Sequence, residues 1–219
     1  MQINIPTFYC KAVVFDFDGV LLDSVETKTK SFIDWVPPEY ESLRNSFYSY
    51  HINAYGVGRR KQIEHFYTKI AKITVNDEEI ESETNRFSEI NRANIFSAPL
   101  FNDTIDFLTN LTNSSIPLFI LSGTPEGELK EITEDKKIAH FFKKIIGTPT
   151  SKIEGLSNIM KENGWSPGDL IFFGDAQADF DAAHHHGVEF IYRPSKASSP
   201  SPLPKNIIES FKGIRILKS

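Results

Sequence analysis

Cysteine is all but missing from this chain. Cys10 stands alone among 219 residues, so no disulfide forms within the chain, and a reducing compartment suits it. Its place just ahead of the first expected strand points to inert burial rather than reactivity. Long apolar runs are missing as well: none approaches the ~20 residues that span a bilayer. The opening Met1-Gln2-Ile3-Asn4-Ile5-Pro6 has neither a basic start nor an extended apolar stretch, so no leader is expected. Nor is there an excess of positive charge. The formal net charge of -5 argues against nonspecific binding to nucleic acid or to membrane surfaces. These absences leave the expectation of a soluble, cytoplasmic protein. With 40% hydrophobic residues and 18 Phe, it has material for one good core and a smaller second unit.

The most informative segment is Ala12-Val13-Val14-Phe15-Asp16-Phe17-Asp18-Gly19-Val20. An apolar run with the look of a buried strand, Ala12 to Phe17, carries two carboxylates two residues apart at its end. Alternation along a strand puts both on one side, and Gly19 lets the chain turn at once. Two neighbouring buried carboxylates are costly without a cation. A cation is therefore implied, and an all-oxygen site suits magnesium. Further apolar runs at 117–121, 144–146, 170–173 and 189–192 read as buried parallel strands. Between them, Asn102 to Leu111 and Ile153 to Glu162 show helical spacing, the second ahead of a helix stop at Asn163-Gly164. Strand alternating with helix predicts an α/β fold: a Rossmann-like open parallel sheet with flanking crossover helices.

Residues 24–97 interrupt this rhythm. Gln62 to Ile70 has Ile63, Phe66, Tyr67 and Ile70 on one helical face, and Asp77 to Phe96 repeats the pattern with Ile80, Phe87, Ile90 and Ile95. This predicts an α-helical insert over 24–97, set between two parts of a sheet domain at 1–23 and 98–219. Arg193 to Pro204 is dense in Ser and Pro and reads as an irregular surface loop. Asn206 to Leu217 admits a helix followed by a short strand.

Three more signals fall at expected strand ends. Phe119-Ile120-Leu121-Ser122-Gly123-Thr124 ends a strand in a hydroxyl and exposed backbone N–H groups, the makings of an anion nest, although many strands run into a Ser-Gly turn. Lys152 opens a helix after the loop 147–151; a lone lysine there is ordinarily just solvated. Ile171-Phe172-Phe173-Gly174-Asp175 ends a strand in acid again, with Asp179 four residues on. Ligands of open α/β sheets bind at the carboxyl ends of strands, and the convergence of all four signals on one sheet edge marks a site.

In this order, Asp16-Phe17-Asp18-Gly19-Val20, Ser122, Lys152 and Gly174-Asp175 with Asp179 resemble the motifs of the haloacid dehalogenase superfamily. The likeness is greatest to its phosphoglycolate phosphatase and β-phosphoglucomutase branch, whose members carry a helical cap between the first two motifs. The resemblance implies that Asp16 is the nucleophile that becomes an aspartyl phosphate and that Asp18 is the general acid/base. It implies a magnesium site built from Asp16, the backbone carbonyl of Asp18, Asp175 and Asp179. It also implies that Ser122, the Gly123 N–H and Lys152 hold the phosphoryl oxygens. Two positions depart from the family pattern: Ala176 stands where many relatives have Ser, and Ile153 follows Lys152 where Pro is familiar.

In the insert, Tyr55-Gly56-Val57-Gly58-Arg59-Arg60-Lys61 sets two glycines beside three cations, a loop suited to an anionic substrate group or simply a solvated helix start. Arg59 is the preferred specificity candidate, ahead of His51 and Tyr55. His184-His185-His186 precedes Gly187 and reads as a helix C-terminus, where positive charge is favoured, rather than as a metal site. The expected function is a magnesium-dependent phosphatase of a small phosphorylated metabolite. The alternatives are a phosphomutase using the same core or a non-catalytic binding protein on the same fold. The sequence specifies neither the substrate nor the oligomeric state.

Overall fold

The computed structural model describes residues 6–219; the stretch read above for a leader lies, up to residue 5, outside the described residues. Six parallel strands form the main sheet, in the order β4-β3-β2-β5-β6-β7. They are β2 (Ala12–Phe15), β3 (Leu118–Pro125), β4 (Phe142–Thr148), β5 (Leu170–Gly174), β6 (Glu189–Tyr192) and β7 (Asn206–Ile207). Every residue of β2 and β5 is buried. That is why these strands read as unbroken apolar runs: helices cover both faces of a parallel sheet.

Alternation along the strands divides the interior into two apolar layers. Val13, Phe15, Ile120, Ile171 and Phe173 pack on one side, against α5 (Thr104–Asn113) and α6 (Glu126–Asp135). Val14, Phe119, Leu121 and Phe172 pack on the other, against α7 (Lys152–Asn163) and α8 (Gln177–His186). Phe15 pairs with Phe173 in register, and their rings stack at 5.2 Å. This layer fixes the heights at which β2 and β5 end, and so the relative placement of Asp16 and Asp175.

The chain leaves β2, turns through Gly19 and enters a helical segment: α1 (Val25–Trp35), α2 (Arg44–His51), α3 (Arg59–His65) and α4 (Asp77–Ser97). Phe32, Trp35, Phe47, Ile63, Phe66, Ile80 and Phe87 form an apolar cluster of their own there. The last helix starts on a capping box: the Asn76 side chain accepts from the Glu79 N–H at 2.9 Å, and Glu79 accepts from the Asn76 N–H at 2.8 Å. The helical stretch expected over Gln62 to Ile70 begins at Arg59 and continues past His65 as one wider turn of π-helix, Phe66–Ala71.

The structure corrects two expectations. Cys10 does not precede the first strand but ends one, β1 (Thr7–Cys10), which pairs in parallel with β8 (Arg215–Lys218) in a separate two-stranded sheet. The helix admitted for Asn206 to Leu217 is a single 3-10 turn, Phe211–Gly213, between β7 and β8. Its apolar residues face a core rather than one side of a helix: Phe211 stacks on Phe107 at 4.4 Å, and Arg193 bonds Asp103 at 2.9 Å beneath it. The loop 193–204 carries no regular structure, as its Ser and Pro content predicts. Among the described residues, no helix is long and apolar enough to cross a membrane.

Candidate active site

The tips of β2, β3 and β5 and the start of α7 meet at one edge of the sheet. Asp16 follows β2, and its backbone N–H donates to Phe173 at 2.8 Å, which locks the two strand ends together. Asp175 follows β5, and Asp179 lies one turn into α8 with its Oδ2 accepting from the Ala176 N–H at 3.1 Å. Asp16, Asp175 and Asp179 are all buried, and each offers a carboxylate oxygen within 4.8 Å of the others. Gly19 adopts φ +80, and a Cβ there would lie 2.0 Å from Asp175 Oδ2. Only glycine lets the backbone turn against that carboxylate.

Lys152 sits at the first position of α7, where a positive charge opposes the helix dipole. Carboxylates compensate: its ammonium lies 3.1 Å from Asp16 Oδ1 and 2.5 Å from Asp179 Oδ1. Burial disfavours the ammonium, but Asp16 and Asp179 outweigh it and push the lysine upward. Asp16 is raised to about 7, by burial first and then by the charge of Asp179, with Lys152 opposing. Asp175 is raised well above the carboxylate range by burial and by Asp16 and Asp179. Despite the nearby ammonium, Asp16 Oδ1 is buried without a hydrogen-bond partner.

Asp18 faces a different environment. Its Oδ1 accepts from Ser24 at 2.6 Å, and its Oδ2 accepts from Lys28 and, at 3.1 Å, from Thr124. Burial pushes this carboxyl up, yet Lys28, Ser24 and Thr124 together overcome burial and hold it below its ordinary value. The three carboxylates of the sequence-predicted metal set, Asp16, Asp175 and Asp179, converge; of Asp18 that set takes the backbone carbonyl, and its side chain is turned to Lys28. Ser122 is buried on the cleft floor, its Oγ accepting from the Thr124 N–H at 3.2 Å, with Gly123 beside it.

Ser24, Lys28, Thr124 and Ser195 were not anticipated. Ser24 stands at the N-cap of α1, but its hydroxyl donates to Asp18 rather than capping the helix. Lys28 lies one turn further on, and its ammonium also reaches Thr124 Oγ1 at 2.7 Å. Ser195, in the irregular loop, donates to Asp175 Oδ2 at 2.6 Å. Thr124 carried the one available signal, being within the strand-end motif. The others reach the site only because the chain folds back on itself.

The helical segment closes over this edge, and Gly56 packs against Gly123 so closely that a Cβ on Gly123 would lie 2.8 Å from the Gly56 carbonyl. The cleft between is lined on that side by Phe32, His51, Tyr55, Arg59, Gln62 and Phe87. Arg59 lines it with its guanidinium engaged: Nη1 lies 2.7 Å from Glu128 Oε2, and Nη2 donates to Glu128 Oε1 at 2.9 Å. His186 Nε2 lies 2.7 Å from the Ile153 carbonyl, and none of the three consecutive histidines belongs to the acidic group.

Residues 13–192 match the family model described as haloacid dehalogenase-like hydrolase. Phosphoglycolate phosphatase 1 of Pseudomonas aeruginosa is 25% identical over 190 residues, 81% of this chain and 67% of that protein. Phosphoglycolate phosphatase of Synechococcus elongatus is 30% identical over 91 residues, a match covering 41% of this chain and only 43% of that protein. Among solved structures, a substituted CbbY of Rhodobacter sphaeroides, in complex with xylulose-(1,5)bisphosphate, superposes with a TM-score of 0.71 at 14% identity. That match covers 94% of this chain and 99% of the other.

Proposed function

This chain belongs to the haloacid dehalogenase-like hydrolases and is a hydrolase of the phosphatase kind; on that premise we propose that it cleaves a phosphomonoester of a small metabolite, magnesium-dependently, by way of a phosphorylated Asp16. The observation that carries this reading is the state of Asp16. A buried carboxylate oxygen without a hydrogen-bond partner, beside two other buried carboxylates, is an arrangement that a hard dication completes. The charges agree. Asp16, Asp18, Asp175 and Asp179 face Lys28 and Lys152, leaving a formal excess of two negative charges that one divalent cation cancels.

Asp16, Asp175 and Asp179, with the Asp18 backbone carbonyl, would hold the magnesium. When bound, it neutralises charge and lowers the repulsion between a carboxylate and a phosphate. The chain's own residues do the rest. An Asp16 oxygen attacks phosphorus, the bond from phosphorus to the ester oxygen breaks, and Asp18 gives its proton to the departing alkoxide. Water then attacks phosphorus, Asp18 takes its proton back, and the bond to Asp16 breaks, releasing phosphate. Lys152, Ser122 and the Gly123 N–H would hold the phosphoryl oxygens. The first step needs a protonated Asp18, and an arriving phosphate dianion favours that form as any added negative charge does. Residues 24–97 would serve as the cap that covers the reaction.

The test is phosphate release from a panel of phosphate esters, with magnesium and with EDTA, on the wild type and Asp16→Asn. Free phosphate that depends on both magnesium and Asp16 is the expected result. Isomerised ester without free phosphate would point to a mutase instead, and release by Asp16→Asn would overturn the assigned nucleophile.

A further inference from the structure

The wall that the helical segment turns toward the cleft has an unusual donor and acceptor balance. Among the described residues lining the cleft, the cations are Lys28 and Arg59. Lys28 belongs to the floor, where Asp18 and Thr124 hold it. Arg59 presents both terminal nitrogens to the two oxygens of Glu128, donates to Ser88 Oγ at 2.7 Å and lies over the Phe87 ring at 5.0 Å. Both partners of this fork are buried or nearly so, with side-chain exposures of 5% and 11%. An anion brought to Arg59 would displace a carboxylate already paired in two-point geometry and would lie beside its charge.

The neutral groups are engaged in a way that fixes their roles. Gln62 Nε2 donates to the carbonyls of Val57, at 2.8 Å, and Ala54, at 3.3 Å, so its Oε1 faces His51 as an acceptor. His51 Nδ1, 2.7 Å away, is then the protonated nitrogen, which leaves Nε2 as an acceptor. Burial lowers His51 to about 4, so the ring is neutral near pH 7. The hydroxyl nearest Nε2 is Thr29 Oγ1 at 3.3 Å, whose single proton also serves the Val25 carbonyl at 2.8 Å, while Tyr55 OH pairs with Thr29 as well. The network thus has an acceptor nitrogen short of a full donor, and its own N–H and O–H groups are in use. A carboxylate or phosphate, which only accepts, finds no donor here. A hydroxyl, which donates, does. Beside His51, the stacked rings of Phe32 and Phe87, 4.1 Å apart, offer an apolar surface to C–H groups.

We propose that the cleft takes the monophosphate of a neutral, hydroxyl-bearing carbon skeleton, a sugar or polyol monophosphate, with a substrate hydroxyl donating to His51 Nε2. Esters bearing a second anion, phosphoglycolate and sugar bisphosphates among them, are disfavoured. This rests on the phosphatase reading above and departs from the substrate in the names of the curated relatives.

The experiment measures kcat/KM with magnesium for p-nitrophenyl phosphate, several pentose, hexose and polyol monophosphates, phosphoglycolate and a sugar bisphosphate. The best neutral-skeleton monophosphate should exceed phosphoglycolate and the bisphosphate by at least about tenfold. If p-nitrophenyl phosphate is turned over but phosphoglycolate or the bisphosphate is preferred, the substrate inference is overturned and the phosphatase reading stands. If no ester is hydrolysed, p-nitrophenyl phosphate included, both fail. Glu128→Gln checks the stated cause: by releasing Arg59 it should raise phosphoglycolate relative to sugar monophosphate several-fold, and an unchanged ratio in a folded variant would contradict it.

Discussion

Asp18 and Lys28 show how single residues set the chemistry. The carboxylate is held by an ammonium and two hydroxyls contributed by α1 and β3, so its position depends on both parts of the chain. Asp18→Asn should lower kcat by about 10²–10⁴-fold, the usual contribution of a positioned proton donor, measured alongside circular dichroism to confirm folding. His51 gives a prediction about stability. Its folded value is pushed down to about 4 by burial, against 6.5 for the free side chain. Below 6.5 the unfolded chain binds a proton that the folded chain refuses, so stability falls as pH drops from 6.5 toward 4. The loss is on the order of 3 kcal/mol across that window. Urea melts at pH 7 and pH 4.5 should show a smaller drop for His51→Gln than for the wild type; equal drops would rule the residue out as the cause. Cys10, buried with its thiol pushed up to about 12 chiefly by burial, should not react with a thiol reagent at pH 8 until the protein is unfolded.

At the scale of elements, the capping box that opens α4 lies away from the cleft, so it separates fold from chemistry. Asn76→Ala should cost about 1 kcal/mol in urea melts and leave kcat unchanged. The buried strands of the central sheet were legible because a parallel strand covered on both faces writes itself as an apolar run; β2 and β5 are such strands. The short outer strand β1 was not, since Tyr9 is exposed and its pairing with β8, the short strand admitted near Leu217, rests on main-chain bonds that leave little pattern. In the same way Asp16, Asp175 and Lys152 were legible because each ends a strand or opens a helix beside it. Ser195 was not, for it reaches Asp175 from an irregular loop twenty residues further along the chain. Local composition makes Arg59 a specificity candidate or part of a solvated helix start; its partner Glu128 lies on α6, beyond any local pattern.

The molecule as a whole places negative charge where a sheet edge meets a helical cover. Its site is expected to be less stable without a dication than with one, because Asp179 raises Asp16 and both of them raise Asp175. Adding magnesium to EDTA-treated protein should therefore raise the melting temperature, and calorimetry that detects no change at millimolar magnesium would speak against the site. The most direct test of the account is the mass of the enzyme caught during turnover. Protein quenched in acid with substrate and magnesium present should carry a species heavier by one phosphoryl group, mapped to Asp16 and removed by hydroxylamine. Steady release of phosphate with no such species, and with Asp16→Asn still active, would contradict it.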